Sequence, residues 1–387
     1  MAAKAKGQQG YDFEELLRAY FLRAGFFVLR GVPLRFGGDD ATDLDIWLYE
    51  RPTGTARRVQ IVDAKFKARP KAVERIFWTK GLATALEVDG AYVATTDKRK
   101  TLRPFAKRIG ISLIDGGDLE RIRNVVKLED SARLTEEELQ TLLRSVDSAR
   151  HNREYSDGYS ILKGGVAEVF GAPMTNRGLD TFNQFSRLAV EAHRGSEAAE
   201  VAGRVAYMAA ALTAVALDFV STVEPFQTNA ERRKLFLAVI RLGTTSEAEG
   251  LERFRIATAL ARNYAQNGTG VAAQIQNGYE RDLAAIPAEI IADQAIKMVT
   301  DGTMFSVARL LEERAFAKRC PSFDQLTVNE KAFVGTLLDF VDVGRASFAT
   351  AWGAPHAPKS GLRAAGISDE PQDSDSGSGS GKGGLFD

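Results

Sequence analysis

The sequence predicts an α/β domain, with a mixed sheet flanked by helices, followed by an all-α domain. Three observations predict it. Strand-like apolar runs are confined to the first third of the chain: FFVLR, LDIWLYE, RRVQIVDAKFK, GAYVATT and ISLID. From about residue 130 those runs stop and helical periodicity takes over. At 387 residues the chain is also too long for a single core of ordinary size. The boundaries drawn are 1–125 for the α/β domain, 126–355 for the helical domain and 356–387 for a disordered acidic Ser/Gly-rich tail.

The elements follow in order. Residues 11–24 place Phe13, Leu16, Leu17, Tyr20 and Phe21 on one helical face. On that helix Glu14 borders the apolar face and Glu15 points away from the core. Gly25 ends it and FFVLR reads as a strand. The turn-rich GGDDAT precedes two strands joined through Pro52 and Gly54. A helix over 74–87 leads to GAYVATT, and one over 101–109 leads to ISLID. This later β–α alternation calls for parallel strands with helices on the sheet faces. Thr135 with Glu138 forms a capping box ahead of a helix through Arg150. Further helices are expected near 178–194, 196–220, 229–241, 247–266, 281–298, 303–318 and 328–342. The alanine-rich stretch from Ala206 to Ala216 suits close helix packing, in a core or an oligomer interface.

Composition narrows the function. The single Cys320 excludes an intramolecular disulfide framework and a cysteine-rich zinc site, which suits a reducing cytoplasm. His151, His193 and His356 lack the spacing of a helix-borne metal site. Val205–Val220 is too short and too weakly apolar to span a bilayer, so no membrane is expected. There is no phosphate-loop motif, and Gly-Thr-Gly at 268–270 lies between helices with no preceding strand, against dinucleotide binding. The net charge of zero hides a division: residues 1–127 carry 24 Lys+Arg against 16 Asp+Glu. A basic front domain fits a polyanionic partner.

The chemistry centres on Asp43-Leu-Asp45 and, farther on, Asp63-Ala64-Lys65. Asp45 and Asp63 lie on consecutive strands that can bring them together at the sheet edge. Strand alternation puts Asp63 and Lys65 on one face. Two carboxylates with the backbone carbonyl of Ala64 make a hard oxygen site of the kind Mg2+ prefers, with Mn2+ as a substitute. A neighbouring ammonium orients water and offsets charge on a phosphate. A D-x-K tripeptide alone arises often by chance; here it stands in an ordered series of helix, strands, Asp, D-x-K, helix and strand.

In that series residues 10–120 resemble the PD-(D/E)XK restriction-endonuclease-like superfamily, in particular its Mrr-like branch. The resemblance implies a Mg2+-dependent endonuclease with Asp45 and Asp63 as metal ligands and Lys65 as the catalytic lysine. It also implies that Glu14 of Phe13-Glu14 is a supporting acid and Asp43 an alternative ligand. Asp63 stands where many Mrr-like members have Glu or Gln. DNA is the expected substrate, with RNA left open and defence against foreign DNA as a role by analogy. The alternative is a non-catalytic nucleic-acid-binding or scaffold protein that keeps the fold and recruits a partner through its helical domain.

Lys67, Arg69, Lys71, Arg75 and Lys80, with Lys98, Arg99 and Lys100, are candidate phosphate contacts around the site. Phe77 and Trp78 are assigned to the core. A homo-oligomer is expected through the helical domain. Leu385 and Phe386, at the end of the acidic tail, are candidates for docking on a protein partner.

Overall fold

Gly37 and Gly38, with φ of 62° and 96°, turn the chain through a conformation that side chains disfavour and open the sheet as a hairpin. The computed structural model describes residues 6–67, 70–126, 132–223 and 226–352. In order come α1 (Lys6–Arg23), β1 (Phe27–Phe36), β2 (Asp39–Glu50), β3 (Arg58–Lys65), α2 (Ala72–Ala85), β4 (Gly90–Thr95), α3 (Leu102–Arg108), β5 (Ser112–Ile114) and α4 (Gly116–Val125). The five strands lie in sequence order, β1-β2-β3-β4-β5. The first two pairings are antiparallel; β3–β4 and β4–β5 are parallel, each joined by a helical crossover. The mixed sheet with flanking helices matches the expectation. The strands of the first hairpin are longer than expected, because DDAT belongs to β2 rather than to the turn.

Strand alternation gives the sheet two apolar faces. Val28, Ile46, Leu48, Val62, Ala64 and Ala94 meet Phe13, Leu16, Leu17 and Phe21 of α1 and Leu119 and Ile122 of α4. Leu29, Trp47, Tyr49, Ile61 and Val93 face the other way, into a larger core joined by all the remaining helices except the two that span residues 247–285. The helices after α4 are α5 (Glu136–Arg150), α6 (Glu154–Glu168), α7 (Ala172–Glu191), α8 (Glu197–Val220), α9 (Asn229–Leu242), α10 (Glu247–Tyr264), α11 (Gly268–Ala285), α12 (Ala288–Thr300), α13 (Met304–Phe316), α14 (Val328–Phe340) and α15 (Arg345–Thr350). The sheet and helices share this core, and the described residues fall within one compact unit. The boundary drawn at 125/126 adjoins residues 127–131, outside the described ones, as does the tail.

Helix α8 is the axle of the helical region. It is long and apolar enough to cross a membrane, yet 94% of its apolar window is buried inside the protein. Every residue from Ala206 to Ala216 has no exposed surface, so this stretch serves the chain's own core and presents nothing to a second copy.

Several helices differ from expectation for local reasons. Helix α4, not expected from the sequence, begins with Gly116 and Gly117, and Asp115 and Asp118 cap it reciprocally. Helix α6, also not expected, contains Gly158, Gly164 and Gly165. Gly158 and Gly165 permit close packing on α7: a Cβ at Gly158 would lie 2.6 Å from Phe185, and one at Gly165 2.5 Å from the Met174 sulfur. The pattern expected at 281–298 is two helices interrupted by Pro287, and Gly268–Gly270 is the first turn of α11 rather than a loop.

Two buried ionic clasps join the sheet to the helices. In the first, Arg30 of β1 binds Glu14 and Glu15 of α1 and Glu137 of α5. Arg18 of α1 binds Glu15 and, on α13, Glu312. Glu15 also accepts the Glu136 backbone N–H at 3.0 Å, at the start of α5. Glu15 therefore does not point away from the core: it is 7% exposed, and its charge is compensated by two guanidinium groups. In the second clasp Asp218 of α8, fully buried, accepts the Tyr49 hydroxyl at 2.6 Å and Arg57 Nη2 at 2.9 Å.

Burial pushes the Glu15 carboxyl up, but Arg18 and Arg30 outweigh it and hold it at about 2, below the ordinary 4.5. Because the folded value lies below the unfolded one, the stabilisation is complete above pH 4.5 and fades as pH falls toward 2. Glu15→Gln should lower unfolding stability by about 3–5 kcal/mol at pH 7, the scale of a broken buried pair. Urea titrations should show that gap narrowing below pH 4.5; a gap constant with pH would mean the carboxylate charge is not its source.

Candidate active site

The site forms where two strands part. The β2–β3 ladder runs from Glu50 opposite Arg58 to Ile46 opposite Val62 and stops there, while β3 stays paired with β4 as far as Lys65. Beyond the last rung, Asp45 Oδ2 accepts the Ala64 N–H at 2.7 Å, so a carboxylate replaces the missing strand bond. This fixes Asp45 beside β3. Alternation puts Asp63 and Lys65 on the same face as Ile61, toward α2, with Lys65 Nζ 4.0 Å from Asp45 Oδ1. Asp43, Asp45, Asp63, Lys65, Arg75 and Trp78 line one cleft of about 110 Å3. The structure thus brings together three of the four expected catalytic residues.

Glu14 is the fourth, and it lies outside that cleft. It sits on α1, against the opposite face of the sheet, where Arg30 Nε donates to it at 3.0 Å. Burial raises its carboxyl to about 7 against the pull of Arg30, and the negative charge of Asp45 adds to the rise. Glu14 therefore influences Asp45 electrostatically rather than by sharing a ligand. Burial also raises the Asp45 carboxyl, although Lys65, the Ala64 N–H and Arg75 each favour its ionised form.

Arg75 changes the character of the site. Its guanidinium takes both oxygens of Asp63, Nε to Oδ2 at 2.7 Å and Nη2 to Oδ1. Arg75 was expected among the phosphate contacts; its observed partner is a carboxylate. The donor set of Asp45, Asp63 and the Ala64 carbonyl fits a hard divalent cation by its chemistry. A cation at Asp63 must displace a bidentate guanidinium, however. Among the described residues no group of three or more His, Cys, Asp or Glu side chains forms a metal site.

The other basic candidates are dispersed. Lys71 pairs with Glu74, Lys98 with Glu120 and Arg99 with Asp97. Lys67, Lys80 and Lys100 are exposed, and no ion pair of theirs is found among the described residues. Arg69, Leu385 and Phe386 lie outside the described residues.

Phe77 and Trp78 do not belong to the core: they are 58% and 51% exposed. The buried stripe of α2 is Ala72, Ile76, Thr79 and Ala83. That 4-3-4 spacing leaves Phe77 and Trp78 off the stripe, a signal present in the sequence.

Compared with known proteins, the chain matches no family model, no curated protein and no solved structure.

Arg75→Ala leaves the 7% exposed Asp63 without its counterion. The loss should be about 1–3 kcal/mol, the cost of stranding a buried acceptor. Added Mn2+ should raise the melting temperature of this variant more than that of the wild type, because the cation no longer competes with a guanidinium. Equal shifts, or none, would show that Asp63 does not bind the cation.

Proposed function

We propose that the chain is a divalent-cation-dependent nuclease with its active site in the cleft between β2 and β3, similar to the PD-(D/E)XK superfamily. The observation that supports this best is the convergence of Asp45, Asp63 and Lys65, from two strands, on one face and in one cleft. A structural ion pair needs one carboxylate and one cation; two largely buried carboxylates beside a lysine and an arginine form a site where charges are held ready for redistribution. In this reading Asp45, Asp63 and the Ala64 carbonyl would hold Mg2+ or Mn2+, which supplies Lewis acidity toward a phosphodiester. Asp45 is positioned for this by the Ala64 N–H. Lys65 Nζ orients the attacking water and offsets the charge that grows on the phosphate. Lys67, Lys80 and Lys100 extend the attraction for a polyanion, DNA in the first instance.

One observation favours a second reading. Both oxygens of Asp63 are already satisfied by Arg75, as expected of a fold kept for nucleic-acid binding without cleavage.

Cleavage of plasmid, single-stranded DNA and RNA under Mg2+ and Mn2+ separates the two. Wild type should cut at least one of them. Lys65→Ala should lower the rate about 100-fold or more, the scale of losing a preorganised charge donor, with the melting temperature and nucleic-acid binding kept. Asp45→Asn should weaken Mn2+ binding by calorimetry. A wild-type chain that binds nucleic acid and cuts none of them belongs to the second reading; Lys65→Ala cutting at the wild-type rate would move the chemistry elsewhere.

A further inference from the structure

Two of the three tryptophans are in the core, Trp47 at 1% and Trp352 at 7% exposed, and Trp78 is 51% exposed. An indole is among the most favourable side chains to bury, so half of one left in solvent needs a reason. Trp78 forms part of the wall of the cleft that holds Asp45, Asp63 and Lys65. The Arg75 guanidinium lies 5.9 Å from its ring centroid, which joins the aromatic surface to the charged one. Beside it on α2, Val73 and Phe77 are also exposed, and the Phe77 ring meets Phe105 edge-on at 5.4 Å. An apolar surface thus adjoins the basic side chains Lys65 and Arg75.

The size of the cleft limits what enters it. At about 110 Å3 it is well below the roughly 300 Å3 of the smallest pockets that enclose a ligand. A phosphate fits such a space and a whole nucleotide does not. The base belonging to that phosphate then stays at the rim, where Trp78 offers an aromatic face. Inside a duplex each base face is covered by its neighbours in the stack, and only base edges are accessible. A face is open at a single strand, a flap, an end or a flipped nucleotide.

We infer that Trp78 is a stacking platform for an unpaired base, and that the ligand of this cleft is single-stranded nucleic acid or a strand with an unpaired segment. This takes from the proposed function only the anionic, phosphate-bearing nature of the ligand. An apolar protein segment would suit Val73 and Phe77 but would leave the charged cleft without a counterpart.

Contact quenching of the full chain's intrinsic fluorescence reports on this residue, because the other two tryptophans emit but are buried from a bound base. In EDTA, where nothing is cut, a short single-stranded oligonucleotide should quench the emission and a blunt duplex of the same sequence should not. Trp78→Ala should weaken single-strand binding about fivefold to a hundredfold, the effect of removing one base–aromatic stack. Trp78→Phe should retain most of the affinity, and both variants should leave duplex affinity and its salt dependence unchanged. Single-strand affinity unaltered in Trp78→Ala, equal quenching by duplex, or no oligonucleotide binding at all would overturn the inference. A chain that binds and is quenched as described but never cuts supports the platform and sinks the nuclease reading. A chain that cuts duplex with no dependence on Trp78 does the reverse.

Discussion

Arg30 is the residue on which the architecture turns. It stands on β1 with 3% exposure and is surrounded by Glu14, Glu15 and Glu137. A lone guanidinium at that depth would be unstable, and so would the buried Glu15 carboxylate; the arrangement persists because each charge is met by another. Its consequence is geometric. The carboxylate of Glu15 ties α1 to β1 and also accepts the first N–H of α5, so one group sets the position of the α1 layer and the entry of the helical region. Apolar contacts alone would leave that register loose, because they are not directional. The Asp218 clasp repeats the principle at the other end, joining the β2–β3 hairpin to α8.

The candidate site depends on the opposite device, a local failure of regular pairing. Where β2 leaves β3, backbone donors are released, and a short carboxylate side chain can occupy the gap without crossing the sheet. Asp45 does this through the Ala64 N–H. The same divergence opens the cleft in which Asp63 and Lys65 are reached from α2. Arg75 then balances Asp63, so in the nuclease reading proposed above a cation or phosphate would have to enter by exchange. Exchange of one charged partner for another costs less than charging an empty buried site, since neither carboxylate is left alone.

Burial divides the exposed side chains of α2 into two kinds. Glu74 forms with Lys71, the residue before the helix, a solvated pair of little energetic consequence. Trp78 and Phe77 remain half in water although the protein has ample interior, and they do so beside the cleft. Position next to a charged depression, more than hydrophobicity, makes them candidates for recognition.

Local sequence determined the sheet and most helices. Alternation in LDIWLYE and RRVQIVDAKFK sets which residues share a face, so the common side of Asp63 and Lys65 was legible before any contact was known. The capping box at Thr135 and Glu138 placed the start of α5 because both hydrogen bonds are made within one turn. Helix α6 was not legible: Gly158 and Gly165 are tolerated through close approach to Phe185 and Met174 of α7, contacts made by the next helix rather than within the turn. Whether Glu15 faces core or solvent likewise depended on Arg18, Arg30 and the start of α5, which periodicity along one helix does not report. Convergence of Asp45 and Asp63 followed from strand order and was readable; the pairing of Asp63 with Arg75 and the place of Glu14 on the opposite face were not. Short-range hydrogen bonds and periodic burial are written in neighbouring residues, whereas the partner of a charge is chosen by whichever segment the fold carries to it.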